Sequence, residues 1–281
     1  MNSIIAPHTV MPGYRLKEDE YLDSEGIIYC KTCKSPRQCR TNFCGRDVTV
    51  YALCKCKAEK WKKSQEEQAA RMRREEIERN RSIGLTDPNM ENHTFENDLG
   101  YNATAMKIAK NYVAHWQQCK KDGHGLIFWG SVGTGKSYIA DCIGNALLDK
   151  GVRVLITNFS RLLNRLMDFD VKDKNGIIQD LNSYELLILD DFGIERDSEY
   201  AREQVYNIID SRYRSGLPMI VTTNLTIKDM RQPTDFGRYR IYDRVLGKNT
   251  PVAVEGQNIR KLLGEDEKKR YNKLFAPESG A

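Results

Sequence analysis

Gly130-Ser131-Val132-Gly133-Thr134-Gly135-Lys136-Ser137 decides the fold. Its glycines let consecutive backbone N–H groups turn inward around phosphates, Lys136 brings a point charge to the outer phosphates, and the Ser137 hydroxyl is placed to reach Mg²⁺. His124–Trp129 reads as an apolar strand leading in, and Tyr138–Leu148 as an amphipathic helix leading out. An anion between them sits at a helix N-terminus, where unpaired donors and the dipole favour it. The pattern is that of a P-loop for a nucleoside triphosphate. An ordinary glycine-rich strand-to-helix turn is the plainer alternative, and it leaves the carboxylates downstream unexplained.

Those carboxylates are Asp190 and Asp191, directly after the apolar run Leu186-Leu187-Ile188-Leu189 and 54 residues beyond Lys136. An unbroken apolar run predicts a strand buried on both faces, here Tyr184–Asp190. Asp190 is the expected Mg²⁺-side carboxylate opposite Ser137, and Asp191 is the better placed of the two to orient an attacking water. Asn224 follows the strand-like Pro218–Thr223. If the third and fourth strands are neighbours, it can hold a water or the γ-phosphate without adding negative charge; otherwise it is a turn residue. Val152–Thr157 predicts the second strand, with Ser160 capping a helix through Phe169. Glu199–Ser215 predicts a helix ended by Gly216, and Val252–Glu255 a fifth strand. Strands alternating with helices predict an α/β fold: a parallel, doubly wound sheet with ligand outside the carboxyl ends of its strands.

With 281 residues, 40% hydrophobic and 30% charged, the chain has room for one medium domain and a smaller one. No run approaches eighteen apolar residues, and Met1–His8 lacks the basic and apolar segments of a signal peptide, which predicts a cytoplasmic protein without membrane contact. A net charge of +5 permits nucleic-acid binding without demanding it.

Six of the eight cysteines lie between Cys30 and Cys56, so the chain divides into a cysteine-rich head and a nucleotide-binding body. The expected divisions are a zinc-binding domain at 1–56, a charged helical linker at 57–91 and the ATPase domain at 92–281. Lys57–Arg81 is free of Gly and Pro and carries Glu–Arg pairs at helical spacing. It reads as a solvated helix, with a nucleic-acid tract as the sharper alternative. Cys30, Cys33, Cys54 and Cys56 form two thiolate pairs suited to a closed Zn²⁺ site. Cys39 and Cys44 either replace one of the second pair or are cysteines of the intervening hairpin. A redox role for Cys30 and Cys33 lacks a thioredoxin-like context.

The P-loop, Leu186–Glu195 (LLILDDFGIE), Ile220–Leu225 (IVTTNL), Arg240–Val245 (RIYDRV) and Gly256–Lys261 (GQNIRK) together resemble AAA+ replicative helicase loaders of the DnaC/DnaI type over about Phe95–Lys261. The cysteine module is similar to that of phage- and prophage-borne members. The resemblance implies an ATPase using ATP and Mg²⁺ that binds a hexameric replicative helicase through its N-terminal region and delivers it to single-stranded DNA. It implies Lys136 and Ser137 as the Walker A pair, Asp190 as the Walker B magnesium acid, Asp191 in place of the catalytic acid and Asn224 as sensor 1. It further implies Arg260 as sensor 2 and Arg244 as an arginine finger acting on a neighbouring subunit's nucleotide, hence self-association. Without the resemblance, Arg244 and Arg260 read as surface arginines. The family's catalytic acid is Glu in many AAA+ proteins, and the shorter Asp191 implies slow hydrolysis.

Phe159, Arg161 and Arg165 follow the second strand as a ring beside two cations, a combination that stacks a base and neutralises phosphates; the alternative buries Phe159 in the core. Two rival functions share the ATPase core. The ATP-binding accessory protein of IstB-type transposition usually lacks a Cys₄ head. A replication initiator carries a duplex-binding domain for which the roughly twenty residues after Arg260 are too few.

Overall fold

The computed structural model describes residues 14–168, 173–193, 198–233 and 235–275. Phe169 and Glu195, the expected ends of one helix and one motif, fall outside these residues, as does Met1–His8. The chain forms two compact units that divide between Arg74 and Glu75.

In the first unit, β1 (Glu20–Leu22) pairs antiparallel with β2 (Ile28–Cys30), and β3 (Gln38–Phe43) with β4 (Arg46–Tyr51). The second hairpin closes through Cys44 and Gly45, both with positive φ (50° and 77°), the backbone of a tight two-residue turn. Helix α1 (Lys55–Gly84) follows, 30 residues long and exposed along nearly all its length. Ion pairs such as Lys62–Glu66 and Lys63–Glu67 support it weakly at helical spacing.

The last turns of α1 belong to the second unit. Arg81 donates to Asp149 (2.7 Å) and Asn145 (3.0 Å), and the Thr86 hydroxyl to Ile156 O (2.9 Å). A Cβ on Gly84 would lie 2.2 Å from Val154 O, so glycine is what lets the helix end against the sheet. A 3₁₀ turn follows at Pro88–Asn92, capped by the Asp87 carboxylate.

The elements after it are α2 (Ala103–Ala114), α3 (Trp116–Asp122), β5 (Gly125–Trp129), α4 (Lys136–Asp149), β6 (Val154–Asn158), α5 (Phe159–Met167), α6 (Lys174–Leu181) and β7 (Leu186–Phe192). Then come α7 (Glu199–Ser215), β8 (Met219–Thr223), α8 (Ile227–Arg231), α9 (Phe236–Lys248), β9 (Asn249–Ala253) and α10 (Ile259–Leu274). The sheet is five-stranded and parallel in the order β6-β7-β8-β5-β9. Strand periodicity builds the two apolar layers. Phe128, Leu186, Ile188 and Ile220 pack with Ile139, Ile143 and Leu147 of α4 on one face. Ile127, Leu187, Leu189 and Val221 pack with α5, α7 and α9 on the other.

Some local readings shift. The cap of α5 is Asn158, whose side chain accepts from Arg161 N (2.9 Å), in place of Ser160. The fifth strand is Asn249–Ala253, because it pairs with β5 from Gly125 onward, and it ends before Glu255. Helices α2, α3, α6, α8, α9 and α10 were not anticipated.

Candidate nucleotide-binding site

Between β5 and α4 the P-loop takes left-handed backbone at Gly133 (φ 82°) and Gly135 (φ 96°), which L side chains rarely adopt. The Lys136 ammonium folds back over the loop, donating to Gly130 O (3.1 Å) and Ser131 O (2.7 Å). Burial pulls its pKa down, while Asp191 and Asp190 pull the other way. A mostly buried cation bonded to neutral carbonyls has much to gain from an anionic phosphate oxygen.

The loop opens into a cavity of about 400 Å³. Val132, Gly133, Gly135, Lys136 and Ser137 form its floor, and Asp191, Asn224 and Arg260 converge on it from β7, β8 and α10. The neighbouring order β7-β8 meets the condition set for Asn224. Gly130, Ser131 and Thr134 shape the loop from behind, the Thr134 hydroxyl donating to Ser131 O (3.0 Å).

Asp190 stands one step behind the wall, and a residue absent from the sequence reading explains how. The Thr222 hydroxyl on β8 donates to the Asp190 carboxylate and accepts from Asp191 N (2.9 Å). This bridge coincides with an irregularity in the β7–β8 register between Leu189 and Phe192 and with a left-handed Asp191 (φ 56°). The kink turns two consecutive acids into different positions: Asp190 toward Thr222, Asp191 into the cavity. Burial and Asp190 raise the Asp191 pKa, and Arg260 and Lys136 oppose the rise. Two cations, Arg260 and Lys136, thus already act on Asp191 at the cavity. The Ser137 hydroxyl and the Asp190 carboxylate are hard oxygen donors that fit Mg²⁺.

Arg260 reaches the cavity because α10 is tied to the P-loop. Ile259 N donates to Gly133 O (2.9 Å), Asn258 Nδ2 to Val132 O (3.1 Å), and the Asn258 carbonyl caps α10 at Lys261 N. A Cβ on Gly133 would strike Asn258 at 2.3 Å, so the second glycine of the motif also admits this contact. Asn102 anchors the loop from α2, donating to Thr134 O (2.6 Å). Opposite lie His93, Asp98, Tyr101 and Tyr138, a mixed aromatic and polar wall. Behind it His93 Nδ1 bonds the buried Asp141 (2.6 Å), and Asn145 donates to Met90 O and His93 O. The Asn258 and Asn102 ties join segments far apart in the chain, which local periodicity cannot reveal. Thr222 lies inside the Ile220–Leu225 motif, and a hydroxyl one residue from a strand end was the available signal.

Arg244 is absent from the cavity wall. It lies on α9, where its Nε donates to Asp210 of α7 (2.5 Å) and its guanidinium rests over Tyr206. Phe159 corrects the nucleic-acid expectation. It is 1% exposed and packs its ring against Phe192, because the first residue of α5 points into the layer beneath the sheet. It offers no face to a base. Arg161 donates to Thr86 O (2.8 Å), and Arg165 is exposed.

In the first unit, the sulfurs of Cys30, Cys33, Cys54 and Cys56 all lie within 4.8 Å of one another. The Cys30–Cys56 and Cys54–Cys56 separations are 3.6 and 3.4 Å. Tetrahedral Zn–S bonds of about 2.3 Å require sulfurs about 3.8 Å apart, so the cluster fits zinc. Within the cluster the Ser35 hydroxyl draws Cys33 down to about 5, while Cys54 and Cys33 push Cys56 up to about 12. Arg37, nearly buried, donates to Cys54 Sγ (3.6 Å) and pairs with Asp19 and Glu20. Cys39 and Cys44 are exposed on the hairpin and outside the cluster.

Comparison with known proteins agrees with this geometry. The replicative helicase loader DnaC of Escherichia coli (strain K12) is 29% identical over 182 residues, 62% of this chain and 71% of that protein. DnaC of Buchnera aphidicola subsp. Schizaphis graminum (strain Sg) is 27% identical over 183 residues, 63% of this chain and 71% of that one. A crystal structure of DnaI is similar in fold with a TM-score of 0.54 and 24% identity, over 65% of this chain and all of that one. Residues 63–265 match the family described as IstB-like ATP binding protein. With most of its length inside that match, the chain belongs to the IstB-like ATP binding protein family.

Proposed function

We propose that this protein loads a replicative DNA helicase onto single-stranded DNA under the control of ATP. One observation carries the ATPase part: Lys136, Ser137, Asp191, Asn224 and Arg260 meet at one cavity while Arg244 stands on a different surface. That division suits a site completed by a neighbouring copy of the chain. Lys136 and the loop N–H groups bind the phosphates, and Asp191 and Asn224 orient the attacking water. Arg260 holds the γ-phosphate from within the chain, and a neighbour's Arg244 neutralises the charge that develops on it. Mg²⁺ held by Ser137 and Asp190 would offset charge between the β- and γ-phosphates. Turnover by an isolated chain is slow, because the second arginine is missing.

The helicase part is supported by the relatives named as replicative helicase loaders, and it favours loading over a transposition-accessory role. In this reading the zinc-folded head, residues 1–56, holds the hexameric helicase, the helix through 57–91 connects it, and the body at 92–281 binds ATP, self-associates and contacts single strands through exposed cations such as Arg165. No helix among the described residues is long and apolar enough to cross a membrane, and the reading places the protein in the cytoplasm.

The test uses full-length chains and the replicative helicase of the source cell. Wild type retains the helicase on a column. Cys54→Ser loses it yet still binds ATP, and Asp191→Asn retains helicase and nucleotide but hydrolyses at least roughly a hundredfold more slowly. A zinc-loaded, folded wild type with no affinity for the helicase sinks the loader reading and favours the transposition one. Undiminished hydrolysis by Asp191→Asn removes that residue from its role.

A further inference from the structure

Arg244 is held by contacts that the nucleotide site does not explain. Its Nε donates to Asp210 Oδ1 (2.5 Å), its Nη2 to the Tyr206 hydroxyl (3.0 Å) and its Nη1 to Arg240 O one turn back (3.1 Å). The guanidinium carbon sits 4.9 Å from the Tyr206 ring centre. Asp210 is itself fixed, its other oxygen accepting from Arg214 (2.8 Å), and both partners rise from α7, which packs on α9 through Val205, Ile209, Ile241 and Val245. The Arg244 side chain is 21% exposed, that of Asp210 14%.

Donor arithmetic says what this arrangement leaves. A guanidinium has five N–H groups in a rigid plane. Three are engaged, one on each nitrogen, so one N–H remains on Nη1 and one on Nη2. One free N–H on each terminal nitrogen can meet two oxygens of one phosphate. Two carboxylates, Asp210 and Asp243, act on Arg244, and with Arg214 and Arg240 beside them cations still outnumber acids three to two.

We propose that Asp210, assisted by Tyr206, is a positioning residue that fixes Arg244 as an outward fork for the nucleotide of a neighbouring copy. The inference rests on the finger reading of Arg244. Holding Arg244 through Nε removes the rotamer freedom of a long side chain before the copies meet, and it leaves an N–H on each terminal nitrogen for a phosphate.

Steady-state ATP hydrolysis by the full-length, assembled chain tests it, with Arg244→Ala measured in parallel. Asp210→Asn is expected to lower kcat roughly tenfold to a hundredfold with ATP affinity unchanged, because its own P-loop is untouched. Mixing with Lys136→Ala chains, which supply a well-held finger but cannot turn over, should restore hydrolysis, and Asp210→Glu should restore part of it. Tyr206→Phe, which keeps the ring and removes the hydroxyl that accepts from Arg244 and Arg240, should cost a smaller factor and decides the matter if Asp210→Asn fails to fold. Wild-type or faster turnover by Asp210→Asn, or by Tyr206→Phe in that case, overturns the positioning role while Arg244→Ala stays inactive. A silent Arg244→Ala overturns the finger reading and this inference with it.

Discussion

The two units of this chain bury very different amounts of apolar surface. Among the described residues before Arg74, Ile28 is the one fully buried aliphatic side chain, and the other buried apolar groups are Cys30 and Cys54. The second unit carries an apolar layer on each face of its sheet. A domain as small as the head cannot repay the entropy of ordering its backbone from such a core, so its cohesion must come from the cluster that its hairpins deliver. The body has two apolar layers to hold its fold. Stability is thus written in sulfur in one unit and in hydrocarbon in the other, and the two should fail independently.

Metal removal breaks that contrast most strongly. Structural zinc in small sites contributes on the order of 10–16 kcal/mol of apparent binding energy at neutral pH, which in such sites is folding energy. Chelation, or Cys54→Ser, is expected to release about one zinc per chain and unfold the head. The ATP affinity and unfolding temperature of the body should hold. Cys39→Ser and Cys44→Ser should keep the metal, since neither sulfur joins the cluster. Zinc retained in Cys54→Ser and lost in Cys39→Ser, by metal analysis, reverses the ligand assignment.

The converse experiment strikes the body alone. Arg212 is 1% exposed, and its five donors reach four backbone carbonyls, those of Leu181, Tyr184, Glu185 and Pro218. No carboxylate shares its pocket bonds, and burial draws its pKa down to about 10. It sews the loops before β7 and β8 together at the edge opposite the P-loop. Arg212→Ala removes every one of these bonds and leaves a cavity, with an expected loss of about 3–5 kcal/mol in urea unfolding of the body. Arg212→Lys rescues little, because an ammonium lacks the fork. The zinc content of either variant should match wild type. A small loss, or a loss shared by the head, breaks the proposed independence.

Legibility differed between the units and within the site for physical reasons. Period-two and unbroken apolar runs identified four strands of the sheet, because burial on both faces leaves a local signature. The P-loop, Asp190, Asp191 and Asn224 were legible because each sits at the carboxyl end of such a strand. The cysteine pairs were legible by spacing, and the hairpin between them explains why Cys39 and Cys44 stand apart. What escaped was held by contacts distant in sequence: Thr222 between the two acids, Asn258 and Asn102 on the P-loop, Asp210 under Arg244. Phe159 went astray for a related reason. A ring beside two arginines has one local pattern whether it faces solvent or core, and the packing of α5 beneath β7 decides which.

The smallest expected effect sharpens the comparison by placing a charge inside the hydrocarbon unit. Asp141 is 3% exposed on α4 with His93 Nδ1 at 2.6 Å. Burial pushes its carboxyl up to about 6 from an ordinary 3.8; the bonded His93 ring works against the rise, and Asp190 and Asp87 add to it. Between those two values the folded chain keeps a proton that the unfolded chain has released. Stability therefore falls as pH rises through the interval and stays lower above it. At about 1.4 kcal/mol per unit, the full effect is on the order of 1–3 kcal/mol. Asp141→Asn keeps a carbonyl oxygen able to bond a His93 N–H and cannot ionise, so its stability should change less between pH 4 and pH 7.5. Urea melts of both chains across that range measure the difference in slope, with zinc kept saturating so that the head contributes equally to each. Parallel profiles would mean that His93 compensates Asp141 fully and that the body tolerates this charge at no cost.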